Sequence, residues 1–329
     1  MSATRPYFTV GIPTFNRAEL LRTALQQLLL QSHADFEIIV ADNASPDHTQ
    51  QVVESFKDPR VTYVRHSQNI GALKNFLSIV AEARGEFVII HQDDDFLHRE
   101  FLKRCYDAVQ NREDVVMYAT PWWRGNPASG FRSKLLPDYE GSHFRHILND
   151  EIVFLEGWQI AVSFLHSFHF AHPTIALRMS ALKKTGGYFP AEDTASDVLT
   201  EARVLCEGIL AYDPRPGGIF TDHGANASRT MEKTFKVQVY EKMYRQLLAD
   251  FEERSIRWKE VFIRDLATYE DRELLRLFAQ WARYHAPKQL QDAAWTVVRS
   301  RKSLPLRKLI PRLLRKVGIR NLFRFWLKR

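Results

Sequence analysis

Cysteine is nearly absent: two stand in 329 residues, Cys105 and Cys206. Two thiols so far apart form neither a disulfide framework nor a CxxC metal site. No run of about 18 uninterrupted apolar residues occurs, which excludes a transmembrane helix. No basic segment followed by an apolar core opens the chain, so no secretory signal is expected. Together these absences fit a reducing, cytoplasmic setting. Neither GxGxxG nor GxxxxGK[ST] is present. A glycine-rich loop that cradles phosphates is therefore excluded, and with it the dinucleotide and P-loop readings. Acidic residues are missing after Asp292.

What is present is ordinary for a soluble globular protein. Hydrophobic residues make up 45% and charged residues 26%, and the length suits one large domain or two. The net charge of +7 is unevenly placed. Residues 299–329 carry +12 and the rest of the chain sums to −5. A mildly acidic body and a strongly basic tail call for separate explanations.

Apolar runs and helical periodicities alternate over the first 120 residues. Strands are predicted at 7–13, 36–41, 61–65, 87–90 and 115–120. Helices are predicted at 17–31, 47–56, 70–83 and 97–110. Asn16 is placed to cap the first helix, with Glu19 at the reciprocal position. Further on, a strand is expected at 173–178, a helix at 197–207 and a strand at 209–212. Helices follow from 229, with breaks near Arg254, Tyr269 and Pro287. Such alternation predicts a mostly parallel sheet covered on both faces. Sheets of this kind bind ligands beyond the carboxyl ends of their strands. Polar residues gather there: Thr14, Asn16 and Arg17; Asp42 and Asn43; and Gln92 with Asp93, Asp94 and Asp95. Three adjacent carboxylates repel one another unless a cation is shared or water screens them. Hard oxygen ligands suit Mg²⁺ or Mn²⁺ with phosphate oxygens in the remaining positions. The bland alternative is that the aspartates face solvent and cap the next helix.

The segments VGIPTFNRAELLRTALQQLLLQ, FEIIVADNASPDHT, NIGALKNF and GEFVIIHQDDDFL, in that order, resemble the nucleotide-sugar half of the family 2 glycosyltransferases. The resemblance spans about residues 7–121. It implies an α/β fold of the GT-A nucleotide-diphospho-sugar transferase type, a mostly parallel central sheet flanked by helices. The implied organisation is a catalytic domain over 1–228, with a nucleotide-sugar half (7–121) and an acceptor half (122–228). A helical extension (229–303) and a basic amphipathic tail (304–329) follow. Pro13, Thr14, Asn16 and Arg17 would line the nucleotide pocket, and Asp42 would accept from the base. Asn69 and Lys74 would lie near the nucleotide, with Lys74 reaching the phosphates. Asp93 would contact the ribose. Asp94 would hold the metal, with Asp95 and His223 as further candidates there; Asp95 would otherwise cap the next helix or support the site. Gln92 departs from the family's Asp-x-Asp-Asp, which lowers the charge of the site.

In the acceptor half, Asp197 and Arg203 match the spacing of the family's acidic helix motif, although Ser196 replaces its Glu. Asp197 is the expected catalytic base and Asp193 its rival; the alternative role for Asp197 is as a helix cap. His166, His169 and His172 are better read as a polar wall on the acceptor side than as a zinc site. Trp122 and Trp123 could stack on a sugar or pack in the core.

The resemblance implies an inverting, metal-dependent transfer of the hexosyl type (EC 2.4). The donor would be a nucleoside-diphosphate sugar, a UDP-sugar by preference, and the acceptor a glycan or lipid-linked hydroxyl in bacterial surface-polysaccharide assembly. The competing readings are a catalytically inactive nucleotide-sugar-binding module and a nucleotidyltransferase. The latter would want a glycine-rich basic loop where PTFNRAE stands. In the tail, Leu306, Leu309, Ile310, Leu313, Leu314 and Val317 share one helical face, and Lys and Arg lie off it. A basic amphipathic helix of this kind suits an anionic leaflet. The expected setting is the inner face of the cytoplasmic membrane; packing on the protein is the alternative, and specific nucleic-acid binding is not expected.

Overall fold

A computed structural model describes residues 5–125, 134–135, 150–166, 170, 172–190, 195–221 and 233–301. Twelve strands are found among them: β1 (Phe8–Thr14), β2 (Phe36–Asp42), β3 (Val61–Arg65), β4 (Phe87–Ile90), β5 (Phe96–Leu97), β6 (Val115–Ala119), β7 (Trp122–Gly125), β8 (Lys134–Leu135), β9 (Val153–Glu156), β10 (Ile175–Arg178), β11 (Ile209–Tyr212) and β12 (Gly218–Thr221). The helices of the body are α1 (Ala18–Leu28), α2 (Thr49–Ser55), α3 (Ala72–Glu82), α4 (Phe101–Val109), α5 (Gly157–Ser163), α6 (Met179–Lys184) and α7 (Ser196–Leu205). Four more follow: α8 (Lys233–Glu253), α9 (Trp258–Ala267), α10 (Asp271–Arg283) and α11 (Lys288–Ser300).

The main sheet has the order β3-β2-β1-β4-β10-β6-β11-β9. β1 to β4 run parallel, as do β6 and β11. β10 and β9 run against their neighbours. The expected parallel sheet is thus present, interrupted by one antiparallel strand at its centre. β1 and β2 are buried at every position, so their apolar residues run nearly unbroken, as a sheet covered on both faces requires. One core cluster joins the sheet to α1 and α4 through residues such as Leu21, Leu25, Phe101 and Leu102. The other joins it to α3, to α5–α7 and to α8–α11. A Cβ on Gly11 of β1 would lie 2.1 Å from Ile79 of α3, so glycine lets α3 press directly on the sheet. A small sheet, β5-β12-β7-β8, lies beside the main one.

The helical extension shares its core with the body. Arg203 of α7 grips Asp250 of α8 with two bonds of 2.7 and 2.9 Å. His166 Nδ1 pairs with the Tyr269 hydroxyl at 2.9 Å, and Trp281 Nε1 donates to the Leu165 carbonyl. The predicted helix breaks have causes. α10 opens with a capping box between Glu270 and Glu273, and Pro287 precedes α11. Among the described residues no helix is long and apolar enough to cross a membrane. The basic tail 304–329 lies outside the described residues.

Most boundaries shift by one to three residues from the sequence reading, and two of the differences have a cause in distant segments. α1 begins at Ala18, and Asn16 does not cap it; Asn16 adopts a left-handed φ of 56°. The Ala18 N–H is instead taken by Asp47 from the β2–α2 loop at 3.0 Å. The fourth helix begins at Phe101 rather than Leu97, because Phe96 and Leu97 pair with β12.

Candidate functional site

The carboxyl ends of β1, β2 and β4 lie side by side, and the turns that leave them are laced together. After β1, the Asn16 N–H donates to Ser45 Oγ at 2.8 Å. With the bond from Ala18 to Asp47, this ties the β1 turn to the β2 turn, where Ala44 is also left-handed (φ 64°). Asn43 carries the link onward. Its Nδ2 donates to Asn69 at 2.9 Å, and its Oδ1 accepts the Ile70 N–H at 2.8 Å. Asn69 and Lys74 stand exposed on this rim.

Asp42 ends β2 deep in the protein. It is 1% exposed and both oxygens are engaged within the protein. Oδ1 accepts the Ser45 N–H at 2.8 Å, and Oδ2 accepts the Tyr63 hydroxyl at 2.5 Å with Arg65 3.5 Å away. These bonds tie the end of β2 to β3 and to the β2–α2 loop.

The acidic turn after β4 is built around Arg17. Its Nη1 lies 3.0 Å from Asp93 Oδ1 and 2.9 Å from Asp94 Oδ2. Thr14 donates to Asp93 Oδ2 at 2.8 Å. Burial pushes the Asp93 carboxyl upward, and Arg17 and Thr14 oppose that rise. Thr14, Arg17, Asp93 and Asp94 are therefore one connected cluster, as the sequence grouped them. His91, fully buried just before it, is driven down to about 4 by burial and stays neutral at pH 7.

Asp95 takes a different place from its two neighbours. It faces inward, and its Oδ1 accepts the Thr221 N–H of β12 at 2.8 Å. Burial raises its carboxyl well above the ordinary range. It fastens the acidic turn to the small sheet, which is the supporting role among those expected of it. His223 and Asp193 lie outside the described residues.

A divalent cation fits this edge in chemistry and in part in number. Among the described residues no group of three or more His, Cys, Asp or Glu is poised to hold an ion. Mg²⁺ and Mn²⁺ sites, however, commonly use one or two carboxylates and complete the shell with substrate phosphates and water. Asp94, a carboxylate beside Arg17 with its side chain 9% exposed, is an oxygen donor of the kind that suits an ion arriving with a diphosphate.

The antiparallel direction of β10 matters here. Leu177 and Arg178 pair with Val88 and Phe87, so the amino end of β10 reaches the carboxyl end of β4. The 3₁₀ turn His172–Thr174 stands at that end. His172 meets Asp197, in the first turn of α7, with Nε2 3.7 Å from Oδ2. The pocket around them is lined by Val88 and Ile90, the strand residues that lead into the acidic turn, and by Tyr188 and Glu201. Partial burial lifts the Asp197 carboxyl, but His172 and the Val198 N–H outweigh it and hold Asp197 below its ordinary range. Glu201, one turn on, is buried among apolar side chains and beside Asp197, which pushes it well above its ordinary range. Two carboxyls displaced in opposite directions are the usual mark of divided acid–base roles.

Glu201 was missed in the sequence, although its spacing from Asp197, four residues along one helix, was the available signal. The three histidines do not form one wall. His172 is at the site, whereas His166 is buried against Asp265, Tyr269 and Phe262 beneath the helical extension; His169 lies outside the described residues. Trp122 is 5% exposed and packs in the core, and Trp123 is partly exposed. Arg203 points away from the site to Asp250.

A parallel sheet with one antiparallel strand before its last parallel pair, and acidic residues along its carboxyl edge, defines a GT-A glycosyltransferase fold. Residues 9–184, more than half of the chain, match glycosyl transferase family 2, and the chain belongs to that family. It is 32% identical over 111 residues to abequosyltransferase RfbV of Salmonella typhimurium, covering 32% of this chain and 33% of that one. It is 38% identical over 95 residues to the GalNAc(5)-diNAcBac-PP-undecaprenol beta-1,3-glucosyltransferase of Campylobacter jejuni, covering 28% and 31%. The matches thus span about a third of the length of these relatives. Among solved structures, residues 1–349 of Staphylococcus aureus TarS in complex with UDP-GlcNAc superpose with a TM-score of 0.59 at 19% identity, covering 89% of this chain and 90% of that one. The mannosyltransferase PcManGT of Pyrobaculum calidifontis, in complex with GDP-Man and Mn²⁺, gives 0.52 at 18% identity, covering 98% and 84%.

Proposed function

We propose that this chain is an inverting glycosyltransferase that moves a sugar from a nucleoside-diphosphate sugar to a hydroxyl of a glycan or lipid-linked acceptor in bacterial surface-polysaccharide assembly. The observation that carries the reading is the placement of two unlike carboxylate centres on one edge of the sheet, at the carboxyl ends of β1 and β4 and at the amino end of β10. One is the Thr14–Arg17–Asp93–Asp94 cluster and the other is Asp197 with His172. The first suits a diphosphate and its counter-cation. The second suits a proton acceptor.

Thr14, Pro13 and Arg17 line the donor pocket, with Asn16, Asn43 and Asn69 shaping its rim. Phe15, 44% exposed beside Thr14, offers a ring face for a nucleobase. Lys74 on the first turn of α3 serves the phosphates, and Asp93 serves the ribose. Asp94 holds the divalent cation, Mn²⁺ or Mg²⁺, which when bound supplies Lewis-acid stabilisation to the departing diphosphate. The acceptor oxygen forms its bond to the anomeric carbon as the bond to the diphosphate breaks. Asp197 takes the hydroxyl proton. The resemblance to a UDP-GlcNAc-bound neighbour favours a UDP-sugar.

Thermal shift against a panel of nucleotide sugars with Mn²⁺ tests the reading. One UDP-sugar is expected to raise the melting temperature and to be consumed with release of UDP. In Asp94→Ala, the Mn²⁺-dependent part of the shift should vanish and turnover should fall by at least about 10²-fold, the usual cost of one electrostatic group at a developing charge. A panel with no binding and no nucleotide release rejects the proposal.

The basic tail gives the enzyme a place beside a lipid-linked acceptor on the inner face of the cytoplasmic membrane. The full chain should float with anionic liposomes at low salt, and a chain ending at residue 303 should not. Equal behaviour of the two forms rejects the membrane role.

A further inference from the structure

Asp197 stands in a built surround. His172 Nε2 lies 3.7 Å from its Oδ2, and the Tyr188 hydroxyl lies 3.2 Å from the same nitrogen. Three separate elements supply these groups: the turn before β10, the segment after α6 and the start of α7. Phe76 of α3 meets the imidazole edge-on, with ring centroids 5.9 Å apart at 77°, and also packs on the Tyr188 ring. The imidazole is thus held on two sides by aromatic rings, and the nitrogen that pairs with Tyr188 also faces the carboxylate. One turn along α7, Glu201 looks into a pocket walled by Val80, Val88, Ile90, Leu177 and Leu182. Like carboxylates one turn apart disfavour double ionisation, and a cation beside one of them decides which keeps the charge.

Resting on the reading of Asp197 as the base, we propose that His172 is its positioning residue: clamped by Tyr188 and Phe76, it aims the Asp197 carboxylate, so that Asp197 and not Glu201 receives the acceptor proton. The titratable groups that face Asp197 among the described residues are His172, Tyr188 and Glu201. The downward displacement of Asp197 and the upward one of Glu201 agree with this division.

The test follows carboxyl titration by carbon NMR in full-length protein labelled at the aspartate side-chain carboxyl. The Asp197 signal is assigned by its loss in Asp197→Asn. In His172→Gln the Asp197 titration should move up by about one pH unit or more, because an adjacent opposite charge lowers an aspartate by about 1–3 units. The acid limb of kcat/KM, which reports the base becoming protonated, should move up with it while the donor KM stays unchanged. Tyr188→Phe, which loosens the imidazole without removing it, should move both in the same direction by less. An Asp197 titration and an acid limb left in place by His172→Gln overturn the inference, and the base assignment survives. If His172→Gln does not fold, as seen by loss of the donor-induced thermal shift, an unmoved titration in Tyr188→Phe overturns it. Full turnover in Asp197→Asn removes the base assignment itself, and the inference with it.

Discussion

An Asp197→Asn chain is expected to bind its nucleotide sugar normally and to turn over about 10²–10⁴-fold more slowly, the usual contribution of a positioned general base. The replacement keeps the shape of the side chain and removes its basicity. Nothing in the donor cluster changes, because Thr14, Arg17, Asp93 and Asp94 are bonded to one another and not to Asp197. Asp197 is also not a buried structural ion; its side chain is 46% exposed beside the pocket. The prediction is read by separating kcat from donor affinity: nucleotide release under saturating donor, and thermal shift for binding. The rival Asp193→Asn should retain most activity. Loss of donor binding in Asp197→Asn, or turnover equal to wild type, defeats the assignment.

Asp213→Ala is expected to cost about 3–5 kcal/mol of stability, the usual effect of removing one partner of a buried ion pair. Asp213 is fully buried just after β11. Its carboxylate meets Arg104 of α4 at 3.1 Å, Arg215 at 2.8 and 3.0 Å, and the Tyr118 hydroxyl of β6 at 2.8 Å. Arg104 is nearly as buried and also donates to the carbonyls of Arg215 and Pro216. Alanine would leave the Arg104 cation in a low-dielectric site without its counter-charge, and the Tyr118 hydroxyl without its acceptor. Urea unfolding should show a lower midpoint at an unchanged slope. An unfolding free energy within about 0.5 kcal/mol of wild type, the range of an ordinary surface substitution, defeats the prediction. The site has a stake in this cluster. The segment it fixes leads into β12, whose Thr221 N–H holds Asp95 and so the acidic turn.

The strands and helices of the nucleotide half were legible because their signals are local. Apolar runs and helical periodicity place β1–β4 and α1–α4 within a few residues. The errors fall where a distant segment replaces a local partner. Asn16 looked like a cap, yet Asp47 from the next loop takes the Ala18 N–H. Leu97 looked helical, yet β12 draws Phe96 and Leu97 into a strand. Asp42 looked free for a ligand, yet Tyr63 and Ser45 occupy it. Asp95 was read as a cap or a support of the site, and its partner is a backbone more than a hundred residues away. The histidines near residue 170 share a spacing and no environment: His166 is locked under the helical extension, and His172 is at the edge of the sheet.

The sequence by itself determined the alternation of elements, the family, and the gathering of polar residues after β1, β2 and β4. These follow from periodicity and from residues that leave adjacent parallel strands at one edge. Only the tertiary structure decided the surround of Asp197. An antiparallel strand at the centre of the sheet carries His172 to the carboxyl edge, and α7 sets Asp197 against it with Glu201 one turn below. Strand direction in a sheet is fixed by pairing between segments remote in the chain, and no local pattern encodes it.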